Sequence, residues 1–277
     1  MGSSEKLRHV LVLGDSLTFQ GPQGIVAPTD PRLFPNLAAA QIAVQFGSPV
    51  KVDLVAREGW TSRDAWWALT KDPVVFGTYL TRASAVIIAV GGMDQLPAVI
   101  PTYLREGLPY LRPGSVRRRT RRLYRDLAPK IMRATGGLMR QLPQSATDRY
   151  LTRIVQAVRV ISGEIPTAVM TPSPYDSSYY PSQKYHDQAR ASAFSWAASL
   201  DVPMVDIENP VLHGLASGDA NPDGMHWSWH THERVGSKFA GELTAAISRE
   251  PRGGPDSLTL RLCQIVVRVS RVLKKDG

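Results

Sequence analysis

Two short segments near opposite ends of this 277-residue chain carry a serine, an aspartate and a histidine. The first, Gly-Asp-Ser-Leu-Thr at 14–18, contains Ser16, and the second, Asp-Gly-Met-His at 223–226, contains Asp223 and His226. A serine hydroxyl becomes an effective nucleophile when a histidine removes its proton, and a carboxylate that accepts from the other ring nitrogen holds that histidine in place. The three residue types therefore predict nucleophilic acyl transfer, with Ser16 as nucleophile, His226 as base and Asp223 as its orienting partner.

The elements around these segments favour this interpretation. Residues 9–13 form an apolar, β-branched run that predicts a buried strand ending just before Ser16. Ligand sites in open α/β sheets lie at the carboxyl ends of the strands. Each segment alone is also typical of an ordinary turn, because Gly, Asp and Ser favour turns. Their joint occurrence in one α/β-patterned chain favours catalysis.

These segments resemble the first and last sequence blocks of the SGNH (GDSL) hydrolase superfamily, and the resemblance spans about residues 7–248. It implies an α/β fold, a flavodoxin-like three-layer sandwich with a central parallel sheet. It also implies the same roles for Ser16, Asp223 and His226. Gly59 matches the glycine of the second block, so the resemblance implies an oxyanion hole formed by the N–H groups of Ser16 and Gly59.

The third block departs from the family pattern. The superfamily has Gly-x-Asn-Asp there, whereas this chain has Gly-Gly-Met-Asp at 91–94, and the Met93 thioether cannot donate a hydrogen bond. Three alternatives remain open at this point: another group, such as the Thr18 hydroxyl, replaces the missing donor; the N–H groups of Ser16 and Gly59 suffice; or the site is inactive.

Alternation of strand and helix patterns predicts a parallel sheet with helices on both faces. With 277 residues and 43% hydrophobic content, the chain can form one sizeable domain, which we predict to span 1–277. Strands are predicted at 7–13, 50–55, 84–90, 167–170 and 203–206, and helices at 33–46, 62–70, 73–80, 146–163, 182–199 and after Trp227.

A basic helical insertion is predicted at about 103–142. It contains eleven basic and two acidic residues, an excess equal to the net charge of +9 of the whole chain. Nucleic acid is not an expected partner, because few aromatic residues lie among the arginines and no nucleic-acid-binding fold is indicated. Three alternatives remain: an anionic membrane surface, the phosphates of an acyl donor such as coenzyme A, or a solvated helical face.

The C-terminal segment at about 256–274 is predicted to form an amphipathic basic helix. It is too short and too charged to span a bilayer, so we expect it to pack on the domain or a partner, with membrane docking as the alternative. The single cysteine, Cys263, and the absence of a secretory signal pattern predict a cytoplasmic location, with contact to the inner membrane surface as a variant. Sequence leaves the oligomeric state open.

Further residues near the blocks are candidates for substrate contact. Tryptophan rings offer broad apolar faces, and arginines bind carboxylates. The candidates are Asp15, Arg57, Trp60, Arg63, Asp94 and Trp227. We expect no metal, because the cluster of His226, His230 and His232 lacks the metalloprotease pattern. No cofactor is expected either.

Either water or an alcohol can attack an acyl-serine and take its acyl group, so the triad alone does not distinguish a hydrolase from a transferase. On overall sequence the chain is also similar to mycobacterial acyltransferases of the superfamily that act in methylglucose lipopolysaccharide synthesis. That resemblance implies octanoyl transfer from octanoyl-CoA, as a substrate, to a hydroxyl of an anionic glucosylglycerate acceptor. An esterase or thioesterase is the alternative, and a non-catalytic protein that binds anionic surfaces is another.

Overall fold

Strands and helices alternate along residues 8–249, the part of the chain that the computed structural model describes. The predicted helix at 256–274 and Cys263 lie outside the described residues. The strands are β1 (Arg8–Gly14), β2 (Gln20–Gly21), β3 (Gly24–Ile25), β4 (Val50–Ala56), β5 (Ala85–Ala89), β6 (Pro97–Ala98), β7 (Met139–Arg140), β8 (Thr167–Met170) and β9 (Met204–Val205). The helices are α1 (Phe34–Phe46), α2 (Ser62–Lys71), α3 (Leu80–Arg82), α4 (Thr102–Gly107), α5 (Gly114–Thr135), α6 (Gln144–Ser162), α7 (His186–Ser199), α8 (Glu208–Ser217) and α9 (Trp229–Arg249).

Five of the strands form one parallel sheet in the order β4-β1-β5-β8-β9. This is the doubly wound order in which the chain first adds a strand on one side of β1 and then crosses to the other side. Gly14 at the end of β1 pairs with Ala56 of β4 and with Ala89 of β5. The loops that follow these three strands therefore begin at the same edge of the sheet.

Alternate residues of β1 pack on opposite faces of the sheet, as the two-residue period of a strand requires. Val10 and Val12 belong to the buried cluster that contains residues of α1 and α9, whereas Leu11 and Leu13 belong to the cluster that contains residues of α2 and α6. The sheet thus lies between two helical layers, which confirms the predicted three-layer α/β fold.

The basic insertion is helical over most of its length. It comprises α4, a 3-10 turn at Leu108–Tyr110 and α5, and its last residues form β7, which pairs antiparallel with β6. The buried residues of α5 are Ala128 and Met132, both in its C-terminal half, so its N-terminal half contributes no buried residue. None of the helices in residues 8–249 has an apolar stretch long enough to cross a bilayer.

Candidate active site

The turn after β1 fixes the backbone of Ser16. The Asp15 carboxylate accepts a hydrogen bond from the N–H of Leu17 (3.0 Å), and the Thr18 hydroxyl donates to the Asp15 carbonyl (2.6 Å). Gly14 is required at the end of the strand, because a Cβ there would lie 2.2 Å from Thr18 Cγ2. These contacts hold Ser16 at the carboxyl end of the central strand β1.

A second turn, in the loop before α9, orders the aspartate and the histidine together. Asp223 Oδ1 accepts from the N–H groups of Met225 (2.8 Å) and His226 (3.0 Å), and Asp223 Oδ2 lies 2.5 Å from His226 Nδ1. The Asp223 N–H in turn donates to Asn221 Oδ1 at 3.0 Å. One carboxylate therefore fixes both the turn and the imidazole.

Gly224 locks this turn against the loop that follows β8. Its φ of +70° lies in the left-handed region, and a Cβ there would lie 1.7 Å from the carbonyl oxygen of Asp176. The Asp176 N–H donates to the Gly224 carbonyl at 2.7 Å. Only glycine satisfies both the backbone conformation and this close approach.

The two turns meet at the edge of the sheet. Ser16 Oγ lies 2.9 Å from His226 Nε2, and Ser16 and His226 are 7% and 9% exposed. The structure therefore brings Ser16, His226 and Asp223 into one hydrogen-bonded chain. Partial burial by itself raises the pKa of Asp223, but hydrogen bonds from the N–H groups of His226 and Met225 and from the His226 ring outweigh it and hold that pKa below its ordinary value. The carboxylate stays charged beside the imidazole.

Gly59 lies in the loop after β4, at the same edge of the sheet as Ser16. Its φ is +72°, and the turn is closed by a hydrogen bond from the Trp60 N–H to the Arg57 carbonyl (3.3 Å). No acceptor for the Gly59 N–H is found among residues 8–249. Gly59 does not line the cavity beside Ser16, so its place in an oxyanion hole stays a prediction.

A cavity of about 30 Å³ adjoins Ser16 and His226. Most of its wall is apolar, and the apolar side chains come from the first and third blocks, the loop after β8 and the histidine turn. They are Leu17, Met93, Leu96, Pro174, Tyr175 and Met225. The cavity is too small for a whole octanoyl chain, so its apolar wall is suited to contact only the first carbons of an acyl group on Ser16.

Sequence reasoning missed part of this wall, namely Ser173, Pro174, Tyr175 and Met225. A signal for the first three was available. The predicted strand at 167–170 matches β8, and the loop after a parallel strand lies at the same edge as the loop after its neighbours. Met225 lies inside the Asp-Gly-Met-His segment and gave no signal beyond its position.

The structure rules out the Thr18 hydroxyl as a substitute for the missing asparagine donor. Thr18 is fully buried, and its hydroxyl proton is used in the bond to the Asp15 carbonyl. Met93 contributes an apolar side chain to the cavity instead. The third block of this chain therefore forms part of an apolar wall where the family pattern supplies a polar side chain.

Asp94 does not contact the cavity, which corrects the prediction that it touches substrate. Its carboxylate accepts from the N–H of Ser62 (2.9 Å), from the Ser62 hydroxyl and from Thr147 Oγ1 (2.8 Å). Burial raises the pKa of Asp94 and outweighs these hydrogen bonds. Asp94 thus ties the third block to α2 and α6.

Asp15 lines the cavity beside Ser16 but is 2% exposed. Burial raises its pKa to about 7, the N–H of Leu17 opposes that shift, and the nearby Asp94 adds to it. Its clearest task is to cap the turn that carries Ser16. The structure leaves its predicted contact with substrate untested.

The two tryptophans next to the blocks are both in or against the core. Trp227 is 1% exposed, its ring packs 5.8 Å from that of Phe34, and its Nε1 donates to Ser173 Oγ at 3.2 Å. No face of its ring is free for a ligand, so the prediction of substrate contact was wrong for Trp227. Trp60 is half-buried against the core on the α2 and α6 side.

The two arginines of the second block have different surroundings. Arg57 is exposed in the loop after β4. Arg63 forms a salt bridge with Glu106 of α4, and its guanidinium lies 4.8 Å from the centre of the Trp67 ring. Arg63 lines a separate surface cavity with residues of the insertion, not the cavity beside Ser16. Its predicted contact with substrate near the triad is therefore not supported.

The other histidines of the cluster have structural partners. His232 Nδ1 accepts from the Phe34 N–H (3.2 Å), and Nε2 lies 2.9 Å from the Gln20 carbonyl oxygen. Burial lowers the pKa of His232 to about 4, which keeps it neutral. His230 pairs with Glu233 at 3.4 Å. No group of three side chains suited to a metal ion occurs among residues 8–249.

The arrangement of fold and blocks matches a known family. The model of the GDSL-like lipase/acylhydrolase family matches residues 12–234, and this chain belongs to that family. The serine block of this enzyme lies at the carboxyl end of β1.

Two curated relatives share the greater part of the chain. It is 38% identical over 238 residues to the diglucosylglycerate octanoyltransferase of Mycolicibacterium hassiacum, covering 86% of this chain and 95% of that protein. It is 36% identical over 239 residues to the diglucosylglycerate octanoyltransferase of Mycobacterium tuberculosis, covering 86% of this chain and 92% of that protein.

Solved structures agree with the fold. The lipase/acylhydrolase from Enterococcus faecalis matches with a TM-score of 0.58 and 17% identity, covering 89% of this chain and 100% of that one. At this identity the likeness concerns the fold alone.

Proposed function

We propose that this protein is a serine-dependent acyltransferase that moves a medium-chain acyl group, octanoyl, from acyl-CoA to a hydroxyl of a glucosylglycerate-type sugar. The observation that carries the proposal is the 2.9 Å contact between Ser16 Oγ and His226 Nε2 beside an apolar cavity. It occurs in a chain 36–38% identical to two proteins named diglucosylglycerate octanoyltransferase.

The first half-reaction acylates Ser16. Ser16 Oγ attacks the thioester carbonyl while His226 Nε2 takes its proton, and Asp223 stabilises the imidazolium through Nδ1. The N–H groups of Ser16 and Gly59 donate to the oxyanion. When the tetrahedral intermediate collapses, the carbon–sulfur bond breaks and His226 returns the proton to the leaving thiolate.

The second half-reaction releases the acyl group to the acceptor. A sugar hydroxyl gives its proton to His226 and attacks the acyl-serine carbonyl, and Ser16 leaves with that proton. The apolar side chains of Met93, Leu96 and Met225 support the proposal, because they line the cavity beside Ser16 where the first carbons of an acyl group would lie. Acyl-CoA enters this scheme as a substrate, and the scheme includes no cofactor.

Product analysis tests the proposal. Purified full-length protein is incubated with octanoyl-CoA, with and without diglucosylglycerate, and free octanoate and acylated sugar are quantified by mass spectrometry. We expect acylated sugar to appear with a matching fall in free octanoate. Ser16→Ala should form neither, whereas Ser228→Ala, which alters a buried serine of the α9 cap, serves as the matched control.

The alternative is a hydrolase that passes the acyl group to water. The family model favours it, because the family that it describes is a GDSL-like lipase/acylhydrolase family. Release of free octanoate at an unchanged rate when the sugar is added would contradict the transferase proposal and support this alternative. The cytoplasmic location and the partner contacts of the C-terminal segment stay predictions.

A further inference from the structure

A groove of about 620 Å³ lies on the surface between α4, the turn at 108–110 and α5, and we call it the arginine groove. Five arginines line it, and none of its lining residues is acidic. The five are Arg105, Arg118, Arg121, Arg122 and Arg125. Four of them recur at intervals of three and four residues along α5, so they share one face of that helix.

The charges of this groove have little compensation inside the protein. Among residues 8–249, no salt bridge is formed by Arg118, Arg121 or Arg122, and Arg125 makes one at 3.7 Å with Asp126, where both side chains are exposed. Like charges three and four residues apart on a helix repel one another. An anion in the groove would relieve that repulsion, and a planar guanidinium is suited to hold phosphate with two hydrogen bonds.

Two tyrosine rings complete the wall of the arginine groove. Tyr124 comes from α5 and is half-buried, and Tyr179 comes from the loop after β8. The Tyr179 ring is buttressed edge-on by Tyr180, with the ring centroids 4.8 Å apart. Aromatic faces next to guanidinium groups offer a stacking surface for a planar base.

The loop after β8 connects the groove to the triad. Tyr175 lines the cavity beside Ser16, and Tyr179 lines the arginine groove. The Cα atoms of Tyr175 and Tyr179 are four residues apart, so they lie at most about 14 Å from each other even in a fully extended chain. A ligand with phosphates in the groove therefore needs only a flexible arm of moderate length to present a reactive group to Ser16.

We propose that the arginine groove binds the phosphates of the acyl donor, the 3′-phosphorylated ADP part of coenzyme A. The inference rests on the proposed function, because it assigns a binding site to the acyl donor of that reaction. Several arginines suit a ligand that carries three phosphates close together. The rings of Tyr124 and Tyr179 can stack on its adenine base, and the pantetheine arm can extend from the groove toward Ser16.

Calorimetric titration of the full-length protein tests the site. Coenzyme A should bind more tightly than dephospho-coenzyme A, and pantetheine, which has no nucleotide, should bind weakest. Arg118→Gln/Arg122→Gln should raise the Kd for coenzyme A by roughly tenfold or more, because charge-assisted hydrogen bonds are lost. Arg119→Gln/Lys130→Gln removes the same charge from the same helix outside the groove, and should change the Kd by less than about twofold. Circular dichroism checks that both variants keep the helix content of the wild type.

Three outcomes would overturn the assignment. Unchanged coenzyme A affinity in the groove variant would place the nucleotide elsewhere. Equal losses of coenzyme A affinity in both double variants would show that the affinity depends on the net charge of α5 and not on the groove. Groove-dependent capture by phosphatidylglycerol vesicles, with coenzyme A affinity unaffected, would assign the arginines to lipid phosphate.

The two proposals fail separately. If coenzyme A binds in the groove but octanoyl-CoA yields no Ser16-dependent product, the proposed function fails and the phosphate site stands. If coenzyme A does not bind while Ser16 still cleaves p-nitrophenyl octanoate, the groove assignment and the donor fail and the serine chemistry stands.

Discussion

The edge of the sheet around Ser16 and the arginine groove differ in where their polar groups find partners. Around Ser16 the partners are internal, since Asp223 accepts two N–H groups and contacts the His226 ring, and the Asp15 carboxylate caps the serine turn. In the groove, the guanidinium groups of Arg118 and Arg122 face solvent without a salt bridge in the described part of the chain. The first region is preorganised for one reaction, and the second is suited to attract a charged ligand.

This difference separates two kinds of perturbation. Changes at the triad should act on the chemical step whatever the substrate. Changes in the groove should act on the binding of phosphate-bearing substrates and leave neutral esters less affected.

Asp223→Asn should lower kcat by roughly 10⁴-fold, because an amide favours the wrong imidazole tautomer. The Asn side-chain oxygen can still accept from the N–H groups of Met225 and His226, so the turn should persist. Steady-state kinetics with octanoyl-CoA and with a neutral octanoyl ester should show equal losses. Asp219→Asn, at an exposed position in the same loop, is the control. A loss confined to octanoyl-CoA would contradict the separation.

Gly224→Ala should destabilise the protein by about 3 kcal/mol or more and reduce activity, because a Cβ would collide with the Asp176 carbonyl at a left-handed backbone position. Gly218→Ala has a similar φ of +76° but nothing within 4 Å of the added Cβ, and should cost about 1 kcal/mol. Urea unfolding of the two variants measures the difference. Equal destabilisation would show that the contact with Asp176 is unimportant.

Raising NaCl from about 0.05 M to about 0.5 M should increase the KM for octanoyl-CoA several-fold, because salt screens exposed charges. The KM for p-nitrophenyl octanoate, which carries no phosphate, should change little. Comparing the salt dependence of KM for these two substrates separates effects on the arginine groove from effects on the triad in a single preparation. An equal salt dependence for both substrates would show that screening acts at the site around Ser16.

Asp15→Asn should change how stability depends on pH. An Asp in an unfolded chain ionises near pH 4, whereas burial raises the pKa of Asp15 to about 7 in the fold. Between these values the native state binds more protons, so its free energy of unfolding falls as pH rises and levels off above about 7. The Tm of Asp15→Asn minus that of the wild type should therefore grow from about pH 4 to about pH 7. A constant difference would mean that Asp15 titrates normally.

Much of the scaffold was predictable from local patterns. The run at 167–170 coincides with β8, and the predicted helix at 33–46 begins one residue before α1. The helix α8 was missed, because Pro210 and Gly214 interrupt its pattern although the burial of both residues supports the helix. The pairing of β6 with β7 was missed as well, since two-residue strands joined across the insertion leave no periodicity.

The candidate site was predictable where chemistry and spacing coincide. Ser16, Asp223 and His226 could be named because a nucleophile, a base and its partner leave a distinctive set of residue types. Trp227 and Asp94 adjoin the same blocks but point into the core and toward α2, because adjacency along the chain does not fix the direction of a side chain. The predicted strand at 167–170 placed the loop after β8 at the correct edge of the sheet, but no local pattern indicated that Tyr175 is one of the side chains in that loop that line the cavity.

In the proposed mechanism, Ser16 carries the acyl group as an ester. Full-length protein is mixed with octanoyl-CoA, quenched within seconds and digested, and the peptides are analysed by tandem mass spectrometry. We predict one octanoyl ester on Ser16, absent in Ser16→Ala and discharged when diglucosylglycerate is added. An acyl group on a different residue, or acylated sugar formed by Ser16→Ala at the wild-type rate, would contradict the account.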